Sequence, residues 1–162
     1  MPISFRGGFY GGVALAVCIG LYLIWLWHPQ RQVRRHTENF FRAIERKDWE
    51  AVADFIGNDY QNQWGDHRAR VLERLREGLR HVHGPRITAY NPSVQVEAQR
   101  AVWSGKITLY SNDDDVMEML DQRVNSVQTP FELQWHRISG KAWDWKLVRV
   151  GNSAFEIPTD FD

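Results

Sequence analysis

The chain opens with an uncharged run, Gly8 to Trp27, bounded by Arg6 on one side and by Arg31, Arg34 and Arg35 on the other. About 20 apolar residues at 1.5 Å rise per residue cross the roughly 30 Å hydrocarbon layer, so the run predicts a membrane-spanning helix. Gly8, Leu15, Leu21, Trp25 and Trp27 mark that expected span. Behind it the pattern becomes amphipathic. Thr37, Phe40, Phe41 and Ile44 recur at helical spacing among charged residues, which predicts a helix over Val33–Lys47. Asp48 is placed to cap a short second helix, Trp49–Ile56, with Val52, Phe55 and Ile56 inward and Gly57 at its end. A short extended piece, Asp59–Trp64, precedes Gly65. Asp66 then reads as the cap of a third helix in which Val71, Leu72, Leu75, Leu79 and Val82 face one way, stopped by Gly84-Pro85.

After Pro85 the period changes from helical to strand-like. Strands are expected over Arg86–Ala98 with a break at Asn91-Pro92, over Arg100–Tyr110, over Val124–Ile138 and over Ala142–Val150. Phe131, Leu133 and Trp135 alternate with Glu132, Gln134 and His136, so one face of the third strand is buried. Ser139-Gly140 reads as a tight turn pairing the last two strands. Helices followed by a meander of strands predict an α+β fold with an antiparallel sheet and three helices, preceded by one transmembrane helix.

The apolar run is long for a cleaved signal, and it ends in bulky residues where a signal would have a small-residue cleavage site. Leu15-Ala16-Val17-Cys18 is a poor lipoprotein signal, because the run continues well past Cys18. Trp25, Trp27 and Tyr22 read as an interfacial belt, and Gly8-x-x-x-Gly12 has the spacing that lets helices approach closely. The basic flank lies behind the run, which favours the cytoplasmic side for the following domain. Cys18 is the only cysteine, so no internal disulfide forms in either compartment.

Residues 1–31 thus read as an anchor with a basic flank, 32–152 as one domain and 153–162 as a tail. The 20 basic and 20 acidic residues balance, and no concentrated basic face exists to bind nucleic acid.

The stretch Phe40-Phe41-Arg42-Ala43-Ile44-Glu45-Arg46-Lys47-Asp48-Trp49-Glu50-Ala51-Val52, leading to Tyr60-Gln61-Asn62-Gln63-Trp64-Gly65, resembles the nuclear transport factor 2-like superfamily. Trp143-Asp144-Trp145-Lys146-Leu147-Val148-Arg149-Val150 looks like its last strand, and the likeness covers nearly all of residues 33–152. The resemblance implies a curved antiparallel sheet wrapped by helices into a cone with a pocket at its wider end. Members include ketosteroid isomerase, scytalone dehydratase, polyketide cyclases and non-enzymatic binding or dimerising domains, so the fold alone settles no chemistry.

Isomerase chemistry needs a carboxylate base facing oxyanion donors. The resemblance places that base in Tyr60–Trp64, which offers amides and aromatics, and Phe40 and Phe41 stand where the first helix would supply a phenol. No catalytic residue is therefore assigned. A dehydratase-like site would use His with Asp and Tyr; Tyr60, Asp66, His67, His81, His83, Tyr90 and His136 supply those types, each with a plainer role as cap, helix end or outward strand position. His81-x-His83 is a poor metal pair, because residues two apart on a helix diverge. Asp113-Asp114-Asp115 with Glu118 lacks calcium-loop spacing and reads as a solvated loop. No metal or cofactor is expected.

Tyr60, Asn62, Trp64, Trp103 and Trp135 are the candidate pocket residues, since aromatics with a few polar handles make apolar ligand sites. Ordinary core packing accounts for the same residues. Trp143 or Trp145 could instead mediate a homodimer through the sheet. The expected function is a non-catalytic module, anchored to the bilayer, that binds a small apolar ligand or a protein partner. A dehydratase, cyclase or isomerase acting on a small apolar substrate is the alternative. An ionisable residue on the floor of a deep cavity would favour the enzyme; a cone filled by tryptophan would leave interaction or scaffolding.

Overall fold

The computed structural model describes residues 13–20, 22 and 28–154. Helix α1, Pro29–Glu45, starts with proline at its first turn, where a missing N–H costs nothing. It buries Val33, Thr37, Phe40, Phe41, Ala43 and Ile44, the face its sequence period defines. Asp48 caps α2, Trp49–Phe55, by accepting from the Ala51 N–H at 3.1 Å. Helix α3 spans Arg68–Gly78, ending earlier than the apolar period through Val82 suggests, although Leu79 and Val82 remain buried.

Four strands follow in the order β1 (Arg86–Glu97), β2 (Arg100–Tyr110), β3 (Phe131–Arg137) and β4 (Trp145–Gly151), all antiparallel to their neighbours. The break expected at Asn91-Pro92 is a bulge inside β1, where the register shifts between Tyr90 and Ser93 and Asn91 takes φ 49°. Asparagine tolerates that left-handed conformation, and the bulged proline needs no ladder hydrogen bond. The outer edge of β4 is covered by the extended piece after α2: the Gly57, Gln61 and Gln63 N–H groups donate to the Leu147, Val148 and Val150 carbonyls. The opposite edge of the sheet, β1, has no strand beside it among the described residues.

Four expectations need correction. Asp114–Leu120 forms a helix, α4, continued by a π-helical turn over Asp121–Asn125, where a loop and the start of β3 were expected. Asp114 and Asp115 lie in its first turn, where carboxylates suit the positive end of the helix dipole, and Leu120 anchors it in the core. Ser139-Gly140 is not a two-residue hairpin turn: Arg137 pairs with Trp145, and residues 138–144 form a longer loop in which Ile138 N–H donates to the Asp144 carbonyl. Asp66 does not cap α3; His67 occupies that position without a side-chain cap bond.

The fourth correction concerns the anchor. Among the described residues no helix is long and apolar enough to cross a membrane, which overturns the expected spanning segment. Residues 13–20 and 22 are helical, Leu15 among them. Gly8, Leu21, Trp25 and Trp27 lie outside the described residues.

The core lies between the inner face of the sheet and α1, α2 and α3. Trp103, Leu133, Trp135, Trp145 and Leu147 project from the sheet and are each at most 2% exposed. Burying three tryptophans in one small domain makes this face the dominant source of its stability.

Candidate functional site

Three places could carry chemistry: the polar cluster at Tyr60, the aromatic interior and the open groove beside α1. The cluster is built on the turn between the extended piece and α3. Asn62 Oδ1 accepts from the Trp64 N–H at 3.0 Å and the Asp66 N–H at 2.8 Å, closing the turn around Gly65, whose φ of +86° suits glycine. Asn62 Nδ2 donates to Asp66 Oδ2 at 3.0 Å. Arg74 Nη1 lies 3.4 Å from the same oxygen and Arg70 Nε 3.6 Å from Asp66 Oδ1. The carboxylate is thus buried but fully engaged, as a buried charge must be. The Tyr60 phenol is held above its ordinary range by burial first and by the nearby Asp66 charge second, against a hydrogen bond with Asn62. It keeps its proton at neutral pH and is not a general base.

The interior is a continuous set of ring contacts. Phe41 meets Trp103 edge-on at 5.6 Å and Phe40 at 6.1 Å; Phe40 in turn meets Trp135 at 6.1 Å and Phe55 at 5.9 Å. His36 completes the set, 5.6 Å from Phe55 and 6.0 Å from Trp135. Its imidazole is held below its ordinary range by burial first and by Lys146 second, outweighing a backbone hydrogen bond at Gln32 and the charge of Asp144. Trp135 Nε1 is buried with no hydrogen-bond partner. Sequence reasoning passed over His36. Its signal was position: four residues before Phe40, it falls on the inward side of α1.

The groove has a volume of about 320 Å³ and runs between α1 and β1. Arg34, Glu38, Arg42 and Glu45 border it from the helix, Ile87, Ala89 and Pro92 from the strand, and Trp103 and Phe41 form its apolar floor. Glu45 Oε1 accepts from the Ile87 N–H at 2.7 Å, and Arg34 reaches the Pro92 carbonyl at 3.5 Å. A second, polar hollow of about 270 Å³ lies at the start of β3, bordered by Gln63, Glu132, Arg149 and Asn152.

The five candidate pocket residues are not brought together around one cavity. Trp103 borders the groove, whereas Tyr60, Asn62, Trp64 and Trp135 border neither hollow. Tyr60, Asn62 and Trp135 are buried and Trp64 is half-buried. Of the two tryptophans considered for an interface, Trp145 is only 1% exposed, donates to the Ala142 carbonyl and carries Arg137 over its ring, so it belongs to the core; Trp143 is 55% exposed in the β3–β4 loop. His136 is half-buried, while His81 and His83 are exposed beyond the end of α3. No group of three or more His, Cys, Asp or Glu residues among the described ones could hold a metal ion.

No protein-family model and no curated protein matches the sequence. Solved structures match its shape. Bd1075 of Bdellovibrio bacteriovorus superposes with a TM-score of 0.60 at 13% identity over 78% of this chain, which spans only 40% of Bd1075. An NTF2-like protein of unknown function from Pseudomonas putida gives 0.57 at 10% identity, over 82% of this chain and 91% of that one. The CaMKII hub of S. rosetta gives 0.56 at 17% identity, over 78% and 96%. At such identities the likeness shows the fold alone: α+β, of the nuclear transport factor 2-like cone type.

Proposed function

We propose that this domain is a non-catalytic protein-interaction module that works as a homodimer through the outer face of its sheet. The observation that carries this reading is the filled cone: Trp103, Trp135 and Trp145 occupy the inner face at 2% exposure or less. An enzyme of the dehydratase or isomerase type needs an ionisable group facing a substrate-sized space. Asp66 is instead engaged by Asn62, Arg70 and Arg74, the Tyr60 phenol holds its proton, and His36 is packed between rings; of the carboxylates bordering the open groove, Glu45 accepts from the Ile87 N–H and Glu38 is exposed to water. The outer face alternates with the buried residues and presents Tyr90 and Tyr110, 46% and 40% exposed, whose hydroxyls lie 3.4 Å apart. Amphipathic rings of this kind are enriched at protein interfaces. The likeness to a hub domain adds to the interaction reading.

Two measurements test it. Titration with progesterone or anilinonaphthalene sulfonate should leave the tryptophan fluorescence without a saturable change. Saturable binding accompanied by a rise in Tm would reopen the ligand pocket. Sedimentation equilibrium should give a dimer that Tyr90→Glu combined with Tyr110→Glu dissociates; a monomer at every concentration removes the dimer.

A further inference from the structure

We propose that the groove between α1 and the free edge of β1 receives an extended peptide with acidic, basic and acidic side chains at alternate positions, added as a fifth strand. This extends the interaction reading to a partner other than a second copy, and it uses a different surface. Two independent features of the groove lead there.

The first is the backbone of β1. Ile87 N–H points away from β2, because it donates to Glu45 on α1. Its cross-strand partner, Leu109, likewise turns its N–H and carbonyl away from β1, to the Asn125 side chain. In an antiparallel pair the bonding direction alternates along the strand, so Ala89, two residues on, presents its N–H and carbonyl to the same free edge as Ile87. Glu45 satisfies one edge donor and Arg34 reaches one carbonyl at the far end, at Pro92. Ala89 lies between them and borders the groove. An unpaired strand edge is a template for another strand, and main-chain bonds of this kind are how extended peptides are captured.

The second is the charge order on α1. Arg34, Glu38 and Arg42 are exposed, border the groove, and form no ion pair with one another or with any other described residue. Their four-residue spacing repeats about every 6 Å along the helix, close to the roughly 6.6 Å between same-face side chains of a strand. The helix runs antiparallel to β1, with Arg34 beside Pro92 and Glu45 beside Ile87. A strand lying between them therefore meets plus, minus and plus in step with its own alternation. Glu-x-Lys-x-Glu is the complementary order. Residues at the x positions turn to the opposite face of the added strand, away from α1.

The test uses the peptide Thr-Glu-Val-Lys-Val-Glu-Thr, blocked at both ends and fluorescently labelled, at low ionic strength. Its charge-inverted counterpart should bind the unaltered protein at least about tenfold more weakly. The combined change Arg34→Glu, Glu38→Lys and Arg42→Glu should exchange the two preferences. Methylating the peptide's central backbone nitrogen should weaken binding by about tenfold or more without touching the protein. Ala89 amide exchange should slow on binding. Equal binding of both charge orders, no binding of either at millimolar concentration, or an Ala89 amide unaffected by bound peptide would overturn the proposal. A protein that still sediments as a dimer under those outcomes loses the docking groove and keeps the interaction module.

Discussion

Helix α1 meets the sheet along two flanks that use its residues differently. Toward β3 it offers His36 and Phe40 to Trp135 and to Phe55 of α2, every ring edge-on to its neighbour. Toward β1 it offers Arg34, Glu38, Arg42 and Glu45, and a groove of about 320 Å³ stays open. The first flank removes apolar surface from water and so specifies how the helix docks. The second ties the helix to β1 through Glu45 at the Ile87 N–H and Arg34 at the Pro92 carbonyl, while the exposed charges of Glu38 and Arg42 interact weakly in water. One helix can thus fix the fold with one side and leave the other for recognition.

The largest test of this contrast is to remove the centre of the closed flank. Trp135→Ala should cost about 3–5 kcal/mol in chemical denaturation, enough to unfold a marginal domain. Arg42→Ala, on the open flank, should move stability by no more than about 0.5 kcal/mol. Similar losses in the two variants would erase the distinction. Next comes the polar cluster that seats α3: Asp66→Ala should cost about 2–3 kcal/mol by stranding the Asn62 amide and freeing two arginines.

A residue beneath the floor of the open flank comes third. A Cβ on Gly105 would lie 2.8 Å from the Trp103 ring and 3.4 Å from Pro92 Cα. Gly105→Ala should therefore cost about 1–3 kcal/mol through displacement of the ring, read as a fall in Tm and a shift in tryptophan emission.

The pH dependence sharpens the comparison further. Burial holds the His36 pKa below its usual value in the folded protein, so the unfolded chain takes up the proton first as pH falls. The stability linked to neutral His36 is present above the unfolded pKa of about 6.5 and is lost progressively below it. Denaturation midpoints at pH 7.5 and 5.5 should differ in the unaltered protein, and His36→Leu should reduce that difference. An unchanged slope would show that the closed flank does not sense protonation. The smallest expected effect serves as a control away from both flanks. Ala98 sits at φ 53° in the turn between β1 and β2, and Ala98→Gly should gain about 0.5 kcal/mol by relieving that conformation.

Local pattern was a good guide wherever one element's own residues decide its state. The period of Val33, Thr37, Phe40, Phe41 and Ile44 located α1, Asp48 announced α2, and β2 occupies the interval expected for it, Arg100–Tyr110. Pattern failed where distant partners decide. Asp113-Asp114-Asp115 looks like a solvated loop until Leu120 finds a place in the core and the helix-dipole preference for carboxylates takes effect. Asp66 has the form of a helix cap, yet its oxygens go to Asn62, Arg70 and Arg74. Trp143 and Trp145 stand two residues apart in similar surroundings, and only the longer β3–β4 loop makes one of them surface and the other core.

Sequence alone determined the α+β order of elements, the inward face of α1, the alternation along β3 and the lack of a carboxylate across Tyr60–Trp64. These follow from periodicity and side-chain chemistry, which are local. Tertiary structure decided that the tryptophans fill the cone, that Asp66 is buried and engaged, and that α1 shows a charged flank to a free strand edge. Those outcomes depend on which surfaces meet across long stretches of chain, and side-chain period within one element carries no information about its partner.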